Sequence, residues 1–213
     1  MEVVRWIVPT RVPRASRLEY VSSDSLLVSV PALKVRYGGK LKEGRVEGVF
    51  SQAGFTAPLV LSPGKVTLNR PQTPQPPFPY VTEEVTFRNE KDDATLSGTL
   101  TYPVGFDKNA SKEVPVVLMV TGSGLQNRDE ELFDHKPFAV WADYLAKHGI
   151  ASLRYDDRGV GKSVGDIRNL TTYNNSLDAL AGVKCLKSLG LFDKVGVLGH
   201  SEGGTVALML AAR

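Results

Sequence analysis

Cysteine is almost missing from this chain. One residue, Cys185, stands among 213, so an internal disulfide and any cysteine-based metal cluster are excluded. Long apolar runs are missing as well. No stretch reaches the roughly 18 residues of a membrane-spanning helix. Charge of one sign is not concentrated: the net charge is +3, with Lys and Arg scattered among Asp and Glu. Without a basic stripe interleaved with aromatics, nucleic-acid binding has no support. The segment Met1–Pro9 is too short and too interrupted for a signal peptide. With Met1 as the true start, the product is expected to stay in the cytoplasm.

What is present suits a globular protein, with a 42% hydrophobic and a 23% charged share. The length allows one large domain or two small ones. Residues 1–62 are β-rich. Short strand patterns fall at Leu26–Val30, Lys34–Tyr37, Arg45–Phe50 and Thr56–Leu61, and Gly38-Gly39 reads as a hairpin turn into Lys40–Glu43. That is a small antiparallel sheet or part of a barrel. Residues 63–80 form a proline-rich linker, since five of the thirteen prolines fall in Pro71–Pro79. Such a segment favours extended conformations and reads as a semi-rigid spacer rather than a peptide-recognition ligand.

From residue 81 to 213 strands alternate with helices, the pattern of an α/β fold with a parallel sheet. Val85–Arg88 and Ala94–Tyr102 read as an antiparallel pair turning at Glu90–Asp93. Val114–Val120 is apolar throughout, as for a strand buried on both faces. Phe138–Lys147 and Ser176–Leu189 have helical periodicity, and Ile150–Tyr155 and Val195–Leu198 are further strands. Cys185 sits in the second helical pattern as a small buried apolar residue.

Gly199-His200-Ser201-Glu202-Gly203 joins the strand Val195–Leu198 to the apolar helical run Thr205–Leu210. Strand, cramped turn with serine, and helix make a nucleophile elbow, which lifts a hydroxyl above the end of a sheet. A β-carbon at either flanking glycine would collide with its neighbours, and the serine must accept strained backbone angles. Gly161-Lys162-Ser163-Val164-Gly165 matches the same pattern but has neither the strand before nor the apolar helix after, so Ser163 reads as a loop hydroxyl. Ser201 is the candidate catalytic nucleophile. The glycine-containing loop Thr121-Gly122-Ser123-Gly124 follows the buried strand and suits an oxyanion hole. The amide of Ser123, or of Gly124 as the near alternative, would act with the amide of Glu202.

Asp156-Asp157-Arg158-Gly159-Val160-Gly161-Lys162-Ser163 resembles a phosphate loop only superficially, because Asp156 stands where the pattern needs glycine. Its charged side chains are expected to brace the loop. Of the three histidines, His148 suits a helix C-terminus, and His200 should point away from the serine hydroxyl. His135 lies too close to the oxyanion strand to be the usual base. In an α/β hydrolase the acid and the histidine follow the serine, and here only Glu202 does.

Together, Thr121–Gly124, Arg128-Asp129-Glu130, Arg154–Ser163 and Gly199–Gly204 resemble bacterial α/β-hydrolase esterases, the group also called serine-aminopeptidase-like. The resemblance covers residues 80–213, and the β-rich front and proline-rich linker match more loosely. It implies the N-terminal half of an α/β-hydrolase sheet behind a small, incomplete β-rich domain. It also implies ester hydrolysis through an acyl-serine intermediate on a small ester or acyl substrate, with no metal or cofactor. An aminopeptidase or acyl-peptide hydrolase on the same scaffold, and a non-catalytic binding module, stand as alternatives. Members are often exported, so a clipped N-terminus would make the protein periplasmic. The acid and histidine are expected beyond Arg213, leaving residues 1–213 inactive alone and open to self-association through an exposed sheet edge.

Overall fold

The computed structural model describes residues 17–22, 24–64, 68–109 and 114–212. Met1–Pro9, read above for a leader, lies outside them. The chain divides into two compact units at Thr67/Leu68.

In the first unit β1 (Arg17–Ser22), β2 (Ser25–Val30), β3 (Val35–Lys42), β4 (Arg45–Gln52) and β5 (Phe55–Leu61) form an antiparallel meander in sequence order. The strand patterns of the sequence missed β1. The turn assigned to Gly38-Gly39 is corrected, because both residues lie inside β3. The hairpins turn instead at Glu43-Gly44 (φ 48° and 75°) and Ala53-Gly54 (φ 48° and 92°), paired positive-φ residues whose twist suits a two-residue hairpin. Gly38 and Gly39 serve close packing. Gly39 pairs with Gly48, and a β-carbon on Gly48 would run into the backbone of both. The space admits Tyr37, buried, with its hydroxyl 2.9 Å from the Val46 carbonyl and 3.1 Å from that of Leu59. Phe55, in register on the same face, remains 62% exposed.

In the second unit β6 (Thr82–Asn89), β7 (Ala94–Thr101), β8 (Val116–Val120), β9 (Ala151–Tyr155) and β10 (Val195–Gly199) make a mixed sheet in the order β10-β8-β9-β7-β6. The hairpin β6–β7 is antiparallel and β7 runs antiparallel to β9, whereas β9, β8 and β10 run parallel. The helices are α1 (Pro137–Lys147), α2 (Thr172–Leu189) and α3 (Glu202–Ala211).

Strand β8 explains its own composition. Val116, Leu118 and Val120 join a core with Ala179 and Leu186 of α2 and Val206 of α3, while Met119 packs with Phe138 and Ala142 of α1. Successive residues point to opposite faces, both faces are covered, and an uninterrupted apolar run results. Helix α2 starts a turn earlier than its apolar pattern, because Thr171 and Asn174 cap each other's backbone amides. It ends at Gly190 (φ 63°). Cys185 is half-buried against the core, and burial raises its thiol pKa.

The proline-rich residues after Leu68 are tied to this unit. Arg70 donates to the Phe133 carbonyl at 3.0 Å, and the Tyr80 hydroxyl donates to Asp143 at 3.0 Å. Burial and the Asp143 carboxylate push the Tyr80 pKa up to about 12. No helix among the described residues is long and apolar enough to cross a membrane.

The Asp156–Ser163 segment is braced as its charges suggested. Arg158 grips Asp178 of α2 with Nε and Nη2 at 2.8 and 2.6 Å, and Nη2 also reaches Asp92 of the β6–β7 turn at 2.9 Å. Both side chains of the main pair are buried, at 3% and 5% exposure. Removing one partner of such a pair strands a charge in a poor solvent for it, which costs about 3–5 kcal/mol. Arg158→Ala should lose stability on that scale in urea unfolding, and Arg158→Lys, which lacks the planar fork, should recover only part.

Candidate active site

Gly199 of β10 pairs with Val120 of β8 in parallel register, and the His200 amide donates to the Val120 carbonyl at 3.1 Å. The two strands therefore end together, and the segments leaving them meet at one edge of the sheet. After β10 the chain reverses into α3 within two residues. Ser201 takes φ 53° and ψ −116°, a region costing a side-chain-bearing residue about 1–3 kcal/mol. A β-carbon on Gly199 would collide with the Gly203 carbonyl, and one on Gly203 with the carbonyls of Val120 and Thr121. The turn closes through Gly203 N–H to the His200 carbonyl at 2.8 Å and Gly204 N–H to the Ser201 carbonyl at 3.0 Å. Ser201 is exposed, and among the described residues its hydroxyl has no hydrogen-bond partner.

The loop after β8 crosses directly over this turn. A β-carbon on Gly122 would lie 3.3 Å from the Ser201 β-carbon. Three carboxylates hold the loop by its donors. Glu130 Oε1 accepts from Gly122 N–H at 2.7 Å. Asp157 accepts from the Thr121 hydroxyl at 2.9 Å and from Gln126 N–H at 2.8 Å. Asp156 accepts Arg128 N–H at 2.8 Å and its guanidinium at 2.8 Å. Between these anchors Ser123 and Gly124 (φ 92°) are exposed. Among the described residues no acceptor takes either amide. Glu202 begins α3, so its N–H has no acceptor within the helix. Its carboxylate turns toward α2, accepting from Thr172 Oγ1 at 2.9 Å and Asn175 Nδ2 at 3.2 Å.

Residues 136–213 match the family model described as serine aminopeptidase, S33. Esterase EstD of Thermotoga maritima is 37% identical over 128 residues, which are 58% of this chain and 30% of that relative. The second unit is thus similar to esterase-like α/β hydrolases. A hypothetical protein from Pseudomonas aeruginosa shares the fold, with a TM-score of 0.52 at 24% identity, over 64% of this chain and 40% of that one. The α/β hydrolase GrgF from a Penicillium species aligns with a TM-score of 0.49 at 27% identity, over 62% of this chain and 42% of that one. The chain thus spans 30% of the length of the curated relative.

In this unit the structure brings together the four residues singled out in the sequence: Ser201 and Glu202 on the elbow, Ser123 and Gly124 on the facing loop. Ser163 is elsewhere and occupied. It is buried, its hydroxyl donates to the Asp156 carbonyl at 2.7 Å, and it accepts from Ser97 N–H at 2.9 Å. None of the three histidines bonds to Ser201. His148 is the C-cap of α1 and stacks on Tyr144. His135 exchanges backbone hydrogen bonds with Leu132. His200 turns its Nδ1 to Glu130 Oε1 at 2.8 Å. Sequence reasoning did not single out Glu130 and Asp157 individually. Their signal was present only as acidic residues inside the Arg128–Glu130 and Arg154–Ser163 motifs.

Asp157 lines a small pocket behind the elbow with Thr121, Asp178 and Glu202. Burial pushes its pKa from 3.8 to about 7. The hydrogen bonds from Gln126 and Thr121 oppose the shift, and the charges of Asp178 and Asp156 add to it. Unfolded, Asp157 ionises near 4, so between there and about pH 7 the folded chain keeps a proton that the unfolded chain has lost. This group's contribution to stability therefore falls as pH rises through that window, by at most about 1.4 kcal/mol per pH unit. Urea unfolding between about pH 5 and about pH 8 should show the decline, and Asp157→Asn should flatten it.

Proposed function

We propose that this chain contributes the nucleophile and oxyanion hole of a serine hydrolase acting on a small carboxylic ester or acyl compound. The observation that carries the reading is Ser201 itself. An exposed, unpartnered serine at φ 53°, wedged between two glycines that no other residue could replace without collision, holds its strain for no packing gain. Ser201 Oγ attacks the acyl carbonyl as a base takes its proton. The carbonyl oxygen becomes an oxyanion held by the Ser123 and Glu202 amides, with Gly124 the alternative to Ser123. The alcohol leaves with a proton from that base, and water then releases the acid and restores the serine. Among the described residues no histidine side chain hydrogen-bonds to Ser201, so we assign the base and its orienting acid to chain outside residues 1–213. The reaction uses no cofactor.

Ester hydrolysis is the first reading because the 37%-identical relative is named an esterase. Aminopeptidase activity is the second, from the description of the matched family model. In the full-length protein, Ser201→Ala should abolish hydrolysis of short acyl nitrophenyl esters and labelling by a fluorophosphonate, whereas Ser163→Ala should remain labelled. Faster turnover of aminoacyl anilides than of esters would favour the peptidase. Hydrolysis that survives Ser201→Ala would sink both and leave the binding-module reading.

Among the described residues strand β10 ends the sheet order with its outer edge unpaired, and Leu208 of α3 is 73% exposed. An open edge beside apolar surface recruits other chains. Residues 1–213 alone should elute in light scattering as more than a monomer. A monomeric peak over a wide concentration range would contradict this.

A further inference from the structure

We infer that Glu130 is a positioning residue that sets the distance between the oxyanion loop and the nucleophile elbow. The inference rests on the hydrolase reading above. The loop follows β8 and the elbow follows β10, so beyond the strand ends no covalent connection fixes one against the other. An oxyanion hole works only if its donors lie about 2.7–3.1 Å from one point in space. Here the two donors belong to the two different segments, Ser123 on one and Glu202 on the other.

Glu130 joins those segments through a single atom. Its Oε1 accepts Gly122 N–H, one residue before Ser123, at 2.7 Å, and lies 2.8 Å from Nδ1 of His200, one residue before Ser201. A carboxylate oxygen has two lone pairs and can serve both donors, and an imidazole that carries a proton on Nδ1 supplies the second. The Glu130 side chain is 10% exposed and that of His200 67%, so the anchor is sheltered while its elbow arm reaches solvent. A β-carbon on Gly122 would lie 2.9 Å from Oε1 and 3.3 Å from the Ser201 β-carbon, so a side chain there would push the Glu130 carboxylate aside. Glu130 reaches this place at φ 51°, with its N–H on the Asn127 carbonyl at 2.8 Å. A non-glycine residue in the left-handed region is strained, and aiming one oxygen at both segments accounts for that strain.

The test uses the full-length protein and reads kcat, KM and affinity for a trifluoromethyl ketone, whose serine adduct carries the oxyanion. Losing a whole oxyanion donor costs roughly 100- to 1,000-fold. Loosening one should cost less, so Glu130→Ala should lower kcat by roughly 10- to 100-fold, with KM nearly unchanged and the ketone bound correspondingly more weakly. Glu130→Gln keeps an oxygen able to accept both bonds and should recover most of the loss. His200→Ala removes the elbow arm alone at an exposed side chain and should shift kcat and ketone affinity in the same direction. It decides the matter if Glu130→Ala does not fold. Unchanged kcat and ketone affinity in a folded Glu130→Ala, or in His200→Ala, would overturn the proposal. If Ser201→Ala kills activity and these variants do not, only the positioning role falls. If Ser201→Ala stays active, the hydrolase reading falls with it.

Discussion

Where Gly199, Gly203 and the carbonyls of Val120 and Thr121 meet, three stretches of backbone approach more closely than any β-carbon permits. This contact holds the N-terminus of α3 against the end of β8, and it forces the intervening residue into a conformation that serine otherwise avoids. The hydroxyl is thereby presented outward at the edge of the sheet, beside the loop that leaves β8. The elbow and the start of α3 take their position from this close approach. It is possible because β8 and β10 are adjacent parallel strands in register at Val120 and Gly199, and because β8 is anchored on both faces by helices.

Around that contact, buried and half-buried acids do the work of order. Glu130, Asp156 and Asp157 accept backbone or hydroxyl hydrogens from one short loop, while Asp178 and Arg158 fasten the neighbouring segment to α2. Carboxylates suit this task because each can accept several charge-assisted bonds at once. At Asp157 burial makes the charge expensive, and its pKa rises to about 7. The donors left over, at Ser123, Gly124 and Glu202, are those that the proposed reaction would use. A loop with most of its polar groups already satisfied does not have to reorganise to offer the rest.

The strands and helices of the second unit were legible in the sequence wherever burial imposes a period. β8 is apolar because both faces are covered, and α1 shows its stripe because only one side is. Helix α2 was read short because its first turn, Thr172 to Asn175, is polar and held by a capping box rather than by the core. In the first unit Gly38-Gly39 looks like a turn by composition, yet it is straight strand. The space those glycines leave is used by Tyr37, a reason that exists only once β3 and β4 are paired. The true turns, Glu43-Gly44 and Ala53-Gly54, carry one glycine each and stand out less.

By itself the sequence determined where the serine sits, that the turn around it has to be built from glycines, and that Ser163 lacks the strand and helix a nucleophile needs. These are local matters, decided by sterics and hydrophobic period within a few residues of one another. Tertiary structure alone decided that the loop of Ser123 meets the elbow, that His200 is turned to Glu130, and that Asp157 is buried enough to keep its proton near neutrality. Each depends on residues far apart in the chain, 36 positions for Thr121 and Asp157 and 70 for Glu130 and His200. No local pattern carries the distance between such residues until the sheet order has set it.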